Sequence, residues 1–465
     1  MVPIFPKVFA KKGIMLYFIS LAAVSLLLYR YAMGIEFILL GAMWVIGFFL
    51  LSSSLTKNWL RMSHKDFKWS VFWLALGLRV AWVIFSYFFY TAKTGQPFEF
   101  DAADSMGYHE EAKWLANAGW QTAFKYWGSK SGVSDVGYPF WLTALYMALG
   151  PSVIIARLFK CLFSATTCVL VYKLSARSFG EFGGRMAAIF TVLFPNFIIY
   201  CGLHLKETEM LFLIVVFLER ADYIIRSRII RVYSLILVFG LVFSLFCFRT
   251  VLGMVALLSF FAGLLFTSNR LTESAKNWLI AVFAVFAISF FVGGTIATEV
   301  ENYWDLRVRN EVLKRQEQTS RGNQWAKYAT GVVLAPMEFV MPLSTMVDTD
   351  QDNQLVLHGG NYVKNFLGIF VLIAVFTIVF KEKSWRNFSL IGSFVLGYLG
   401  VIAFSGYGNS ERFLLPAAPI LLILAAYGVS KLNARNFKFV NFWYIIVVLM
   451  EFGWAFFKIG SRGLL

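Results

Sequence analysis

IEFILLGAMWVIGFFLLSSS, residues 35–54, decides the architecture: one carboxylate at its second position, then an uncharged apolar run. About twenty such residues cross a bilayer core as a helix, which satisfies all its own backbone polar groups. The same ruler carried along 465 residues predicts thirteen spans, near 14–31, 35–54, 69–90, 152–174, 184–202, 205–219, 232–248, 250–267, 278–297, 361–380, 387–405, 412–430 and 440–457. Composition agrees: 59% hydrophobic, 15% charged and a mean hydropathy of +0.68, against roughly a quarter charged residues in a soluble domain. Fifty Phe, 20 Tyr and 15 Trp exceed what one water-soluble core can bury. Soluble, disordered, collagen-like and disulfide-stapled classes are excluded, leaving an all-α polytopic membrane protein.

The net charge of +16 (42 basic, 26 acidic) would suggest nucleic acid in a soluble chain. Its placement argues otherwise. With a cytoplasmic N-terminus and alternating sides, every short inside connection is basic. Lys7, Lys11 and Lys12 precede the first span, and Lys57, Arg61, Lys65 and Lys68 fill the next inside loop. Arg177 with Arg185, Arg220 to Arg231, Arg270 with Lys276, Lys381 to Arg386, and Lys431 to Lys438 follow. Cytoplasmic loops of membrane proteins carry this excess, so the charge reports topology and a nucleic-acid partner is not expected. The N-terminal apolar stretch has no small-residue cleavage site after it and is expected to be a retained first span. Cys161, Cys168, Cys201 and Cys247 sit in apolar runs with no C-x-x-C pair, the pattern of small core residues.

Two long segments fall outside, 91–137 with six acids against four bases and 298–360 with nine against six. They divide the chain into an N-terminal module, 1–267, and a C-terminal module, 268–465. Long loops in a bundle tend to be functional. Residues 138–150 are expected to form a short helix at the outer interface, since counting them as a span would place the basic stretch 173–185 outside. NYWDLRVRNEVLKRQEQ, from Asn302, alternates sign as an amphipathic helix does. No internal repeat is visible, which weakens a transporter built on inverted repeats.

The chemistry-bearing residues concentrate in four places. In FEFDAADSMGYHEEAKWLANAGW a helix over 104–118 puts Asp104, Tyr108 and Glu111 on one face. Such a carboxylate can serve as a general base, although Asp104 or Asp101 can equally cap the helix. His204, Lys206, Glu207 and Glu209 crowd an outer turn at the start of a span, where charge is costly unless paired or used; snorkelling to water is the plainer account. Arg249 and Arg412 open on the same side as Lys206. Guanidinium forks suit phosphate, and each can also simply anchor its helix. VDTDQDNQ, from Val347, has a calcium-loop composition without the glycine and closing Glu of that pattern. No Walker loop, G-x-S-x-G or H-E-x-x-H occurs, so no cofactor is required, no metal ligands are assigned, and the need for a divalent metal stays open.

The order of several motifs resembles the GT-C superfamily of membrane glycosyltransferases, nearest to protein O-mannosyltransferases and the aminoarabinose transferases acting on lipid A. The motifs are Asp104-Ser-Met-Gly-Tyr108, GYPFWLTALYMALG from Gly137, VYKLSARSFG from Val171, Pro195 to Tyr200, the acidic outer turn, and RFLLPAAP from Arg412. The likeness covers roughly 70–220 and 405–430. It implies transfer of a sugar from a polyprenyl-phosphate donor to a protein, lipid or glycan acceptor, on the outer face of what is expected to be a bacterial inner membrane. By that resemblance Asp104 is the catalytic base, with Tyr108 beside it, and Arg412 contacts the carrier phosphate, aided by Arg249 and Lys206. Glu207, His204, Glu111 and Tyr138 are candidates for donor or acceptor binding. Relatives often carry a second acid directly after the first; Ser105 stands there, which leaves the part played by Asp101 open. The competing readings are a lipid-linked oligosaccharide polymerase or ligase, separated by donor size, and a flippase or transporter, disfavoured because Arg79 is the main mid-span charge.

Overall fold

A computed structural model describes residues 4–129, 134–227, 231–267, 277–278, 280–281, 284–285, 344–349, 351–405, 411–433 and 436–461. Among the described residues the regular structure is helical. The first half comprises α1 (Lys7–Leu27), α2 (Ile35–Asn58), α3 (His64–Thr94), α4 (Ala103–Ala118), α5 (Trp120–Ser129) and α6 (Gly137–Leu149). It continues through α7 (Val153–Leu193), α8 (Pro195–Ile199), α9 (Glu207–Arg226), α10 (Val232–Phe248) and α11 (Thr250–Thr267). The second half adds α12 (Asp352–Phe376), α13 (Ser389–Ser405), α14 (Glu411–Leu414), α15 (Ala418–Ser430) and α16 (Phe437–Ser461).

Seven stretches are long and apolar enough to cross a membrane: Lys7–Leu27, Ile35–Asn58, His64–Thr94, Val153–Leu193, Asp352–Lys381, Glu411–Ser430 and Asn436–Gly460. Val232–Phe248 and Thr250–Phe266 are shorter apolar helices. The two spans expected at 152–174 and 184–202 are parted, as expected, by a break at Gly180, whose φ of 82° and ψ of 166° no helix accommodates, and the second ends at Leu193 rather than 202. α9 is 20 residues long but opens with Glu207 and Glu209 and closes with Glu219, Asp222 and Arg226, too charged to read as a plain span. α12 starts at Asp352, nine residues before the expected 361, so the end of the second long loop is helix rather than connection. Most of the expected span at 278–297 and the amphipathic segment from Asn302 lie outside the described residues. At 13 residues, α6 reaches about 20 Å and is too short to cross.

Burial shows where the centre lies. In the apolar windows, 72% of the Asp352–Lys381 stretch and 83% of Glu411–Ser430 are enclosed, against 33–39% for the first three helices. Helices α12 and α15 are therefore central, with α7 and α2 against them, and the peripheral helices turn Trp69, Trp73, Leu396 and Phe442 outward. Close approach at the centre relies on glycine: a Cβ on Gly359 would lie 2.8 Å from the Gly41 backbone. One hydrophobic cluster runs from Phe5 to Ile459, so the halves 1–267 and 268–465 share a single core.

Charge separates the two ends of this bundle. At one end Arg185 donates to Trp59 O (2.6 Å) and Met62 O (2.8 Å), Arg226 donates to Asn387 O (2.8 Å), and Lys431 pairs with Glu382 (2.8 Å). Phe179 stacks on Phe388 at 4.5 Å and ties these groups together. The basic connections around Arg61, Arg185, Arg226, Arg386 and Lys431 thus gather at one end, while Arg270 and Lys276 lie outside the described residues. Helices α4, α5 and α6 occupy the other.

Candidate functional site

Gly95, at φ 76°, ends α3, and the chain crosses Phe98 and Phe100 before entering α4. Ala102 is the N-cap of α4 and no side chain caps it. Neither Asp101 nor Asp104 is therefore used as a cap, contrary to that alternative. Asp101 turns the chain in the left-handed region (φ 50°), its carbonyl accepting the Ala103 amide at 2.9 Å. This places Asp104 in the first turn of α4, where its Oδ2 accepts from Arg412 Nη1. The Nε of the same guanidinium donates to Glu207 Oε1. One arginine thus joins three helices remote in sequence. Both acids lie in the first turns of their helices, where the dipole favours negative charge. Their surroundings differ: the Glu207 side chain is 0% exposed and that of Asp104 59%.

Lys206, just ahead of α9, is nearly buried and donates to Phe248 O at 3.2 Å. Burial, then the neighbouring Arg249, draws its ammonium well below the ordinary lysine range, to about 7, against the pull of Glu207. It also pairs with Asp135, in the turn before α6. Arg249 follows the end of α10, lies over the Phe413 ring at 4.4 Å and donates to Tyr398 Oη at 3.3 Å. It makes no ion pair with a carboxylate among the described residues. Tyr108, one turn beyond Asp104, is pushed up to about 12 by burial, with Arg412 working against it. Five of the sequence candidates, Asp104, Lys206, Glu207, Arg249 and Arg412, therefore form one charged cluster, with Tyr108 on its edge.

Beside the cluster a cavity of about 430 Å³ opens, lined by Asp101, Asp104 and Arg412 together with Glu99, Tyr90, Tyr200, Asn353, Gln354 and Glu411. That is within the range of small-molecule sites, roughly 300–1,000 Å³. Foremost among the wall residues that sequence reasoning missed is Glu99. It is 5% exposed, its Oε1 accepts from Ser105 Oγ, and its Oε2 has no protein partner. Ser105 thus serves a neighbouring carboxylate. The signal was present in FEFDAADS, but an acid five residues before Asp104 has no helical spacing to mark it.

The remaining candidates lie elsewhere. His204 is buried behind the cavity in a chain with Tyr146 (3.2 Å) and His109 (Tyr146 Oη to Nδ1, 2.7 Å), and burial holds it well below the ordinary imidazole range. Tyr138 is fully buried, edge-on to Tyr108 at 5.1 Å. Neither lines the cavity, and Glu111, half-buried two turns along α4, does not line it either. Arg157 and Lys160, one turn apart on α7, are buried cations that the span count passed over. Arg157 Nη2 donates to Pro97 O (2.6 Å), and Lys160 Nζ donates to the Leu203 and Leu205 carbonyls, fixing the turn that carries Lys206.

No protein-family model matches the chain, and no curated protein does. The site must be read from its own chemistry. No group of three or more His, Cys, Asp or Glu side chains arranged to hold a metal ion occurs among the described residues. A second recess, about 380 Å³ and almost wholly apolar, is lined by Phe140, Trp141, Phe163, Phe212, Phe243 and Phe248 among others. Because Lys206 binds the Phe248 carbonyl, this aromatic groove ends beside the cations. An anion with an apolar tail fits such a pairing. The exposed carboxylate on the cavity side can take up a proton there.

Proposed function

We propose that the protein transfers a sugar from a polyprenyl-phosphate donor to an acceptor at the outer face of the membrane, by single displacement with inversion. The observation that carries this reading is the meeting of three elements: a carboxylate-lined cavity, a three-cation cluster and an aromatic groove. The isoprenoid lies in the groove and its phosphate at Arg249, Lys206 and Arg412. Attack by an acceptor hydroxyl or amine on the anomeric carbon forms the new glycosidic bond. The carbon–oxygen bond to phosphate breaks, and its electron pair stays on the phosphate. Asp104 takes the acceptor's proton, and the cations stabilise charge as it grows on the departing oxygen. Energy for the step resides in the donor's phosphodiester, so no nucleotide site is needed.

The outward direction rests on the gathering of the basic connections at the end opposite the cavity, together with the positive-inside rule. The bounding membrane in this reading is a bacterial inner membrane, and the acceptor is a protein, lipid or glycan. Incubating purified protein with polyprenyl-phosphate sugars and following release of polyprenyl phosphate tests the reading. Release that depends on acceptor and is lost in Asp104→Asn supports it. Release unchanged in Asp104→Asn removes the base, and absence of release with every donor removes the reaction.

A further inference from the structure

Lys206 is paired with Asp135. The partners are unequal: the lysine side chain is 4% exposed and the aspartate 56%. Asp135 also sits in the left-handed region, at φ 63°, two residues before α6. Its turn is held beside the end of α10, because a Cβ on Gly137 would meet the Phe248 ring at 2.5 Å. Val136, Gly137 and Phe248 all line the aromatic groove. The Asp135 carboxylate therefore stands where that groove reaches the buried ammonium, and like Asp104 on Arg412 it is half in water. Glu207, by contrast, is enclosed with Arg412. Next to Lys206, Arg249 holds no carboxylate among the described residues.

We propose that Asp135 occupies, on Lys206, the seat of an outer-leaflet lipid phosphate and is exchanged for it when the lipid binds. This rests on the lipid-phosphate reading above and adds a residue that sets affinity by competing from within the chain. The exchange asks little of the protein. Asp135 is already 56% in water, so turning its side chain outward costs that carboxylate little, and the phosphate that replaces it keeps the buried ammonium paired. The incoming phosphate gains Arg249 as well as Lys206, and the apolar tail gains the groove.

Asp135→Asn tests the exchange with little disturbance, since asparagine tolerates the left-handed region and lacks the charge. Binding of undecaprenyl phosphate, undecaprenol and inorganic phosphate to the full-length protein in nanodiscs is measured at pH 6, with thermal unfolding as the folding control. The expected result is a threefold to tenfold tighter Kd for undecaprenyl phosphate, about the size of one half-exposed pair, with undecaprenol unchanged. Lys206→Gln weakens lipid-phosphate binding and makes Asp135→Asn silent in its background, an outcome that a purely structural turn would not give. Unchanged or weaker binding in Asp135→Asn overturns the exchange, while a wild-type preference for the phosphate over the alcohol leaves the lipid reading standing. A gain seen with inorganic phosphate alone assigns the seat to a free anion and overturns the proposal. Equal binding of undecaprenyl phosphate and undecaprenol by both proteins sinks the lipid reading and the exchange with it.

Discussion

Arg412 holds two carboxylates in unlike surroundings, and that inequality predicts opposite phenotypes for them. Glu207 is fully enclosed and its Oε2 has no protein partner, so Arg412 supplies its compensation. Arg412→Met leaves that carboxylate buried and unpaired, a loss of about 3–5 kcal/mol for a fully buried pair. The 21% exposure of the arginine places the value toward the lower end. Adding Glu207→Gln removes the stranded charge, so the double variant recovers about 1–3 kcal/mol of coupling. Asp104→Asn, whose side chain is 59% exposed, costs no more than about 1 kcal/mol. Reversible unfolding in mixed micelles gives the stabilities. The same preparations, assayed for transfer, should show Asp104→Asn slowed about 10²–10⁴-fold, the usual worth of a general base. Strict additivity of Arg412→Met and Glu207→Gln would refute the shared pairing. Equal stability losses for Asp104→Asn and Glu207→Gln would refute the division into one structural and one exposed carboxylate.

Three further outcomes follow from single contacts. The Lys206 ammonium, held near 7, loses its charge as pH rises, whereas a phosphodiester donor keeps one negative charge throughout. Donor kcat/KM should therefore be flat below pH 7 and fall above it, by up to about tenfold per unit, and Lys206→Arg should flatten the profile because guanidinium stays protonated; a wild-type profile level to pH 9 refutes the assignment. Arg79 donates to Thr191 O and Val192 O, both at 3.2 Å, just before Pro195, which has no amide to offer them. Arg79→Met should cost about 1–3 kcal/mol per stranded carbonyl in the same unfolding assay, and wild-type stability contradicts that account. Ser244 lines the aromatic groove, so Ser244→Trp should raise KM for an undecaprenyl donor more than for a farnesyl one; an equal rise for both would detach the groove from the tail.

Much of the bundle could be read from hydropathy, because a segment of about twenty apolar residues has few alternatives to a helix. The ruler failed where charge and backbone geometry intervene. It parted the two halves of α7 correctly, near the Gly180 break, but carried the second span to 202, past the end of α7 at Leu193. It started α12 nine residues late because Asp352, Asn353, Gln354 and His358 lower the hydropathy of two helical turns that are buried from Leu355 onward. In the site, Asp104, Lys206, Glu207, Arg249 and Arg412 could be picked out by side and type. Their pairing could not, since Arg412 meets Asp104 across 308 residues and Glu207 across 205. Glu99 and Asp135 passed unnoticed for the same reason: what marks them is a cavity wall and a partner on another helix, neither of which leaves a local pattern.

The bundle holds buried charge at both ends, and bonding distinguishes a brace from a site. At the end remote from the cavity, Arg177 pairs with Glu219 (2.6 Å) and Asp222 (3.0 Å), Arg226 with Asp222 (2.7 Å), and Arg220 with Glu219 (2.8 Å). Each carboxylate there meets two cations, and the network locks α7 to α9. Around the cavity the bonding is incomplete. Of the enclosed atoms with no protein hydrogen-bond partner, Glu99 Oε2 belongs to the cavity wall, both Glu209 oxygens to a residue of the aromatic groove, and Glu207 Oε2 to the charged cluster. A buried polar atom left unbonded costs about 1–3 kcal/mol, and more when charged. The proposed chemistry falls at the α4–α6 end, and the α7–α9 brace holds the helices on which that end stands.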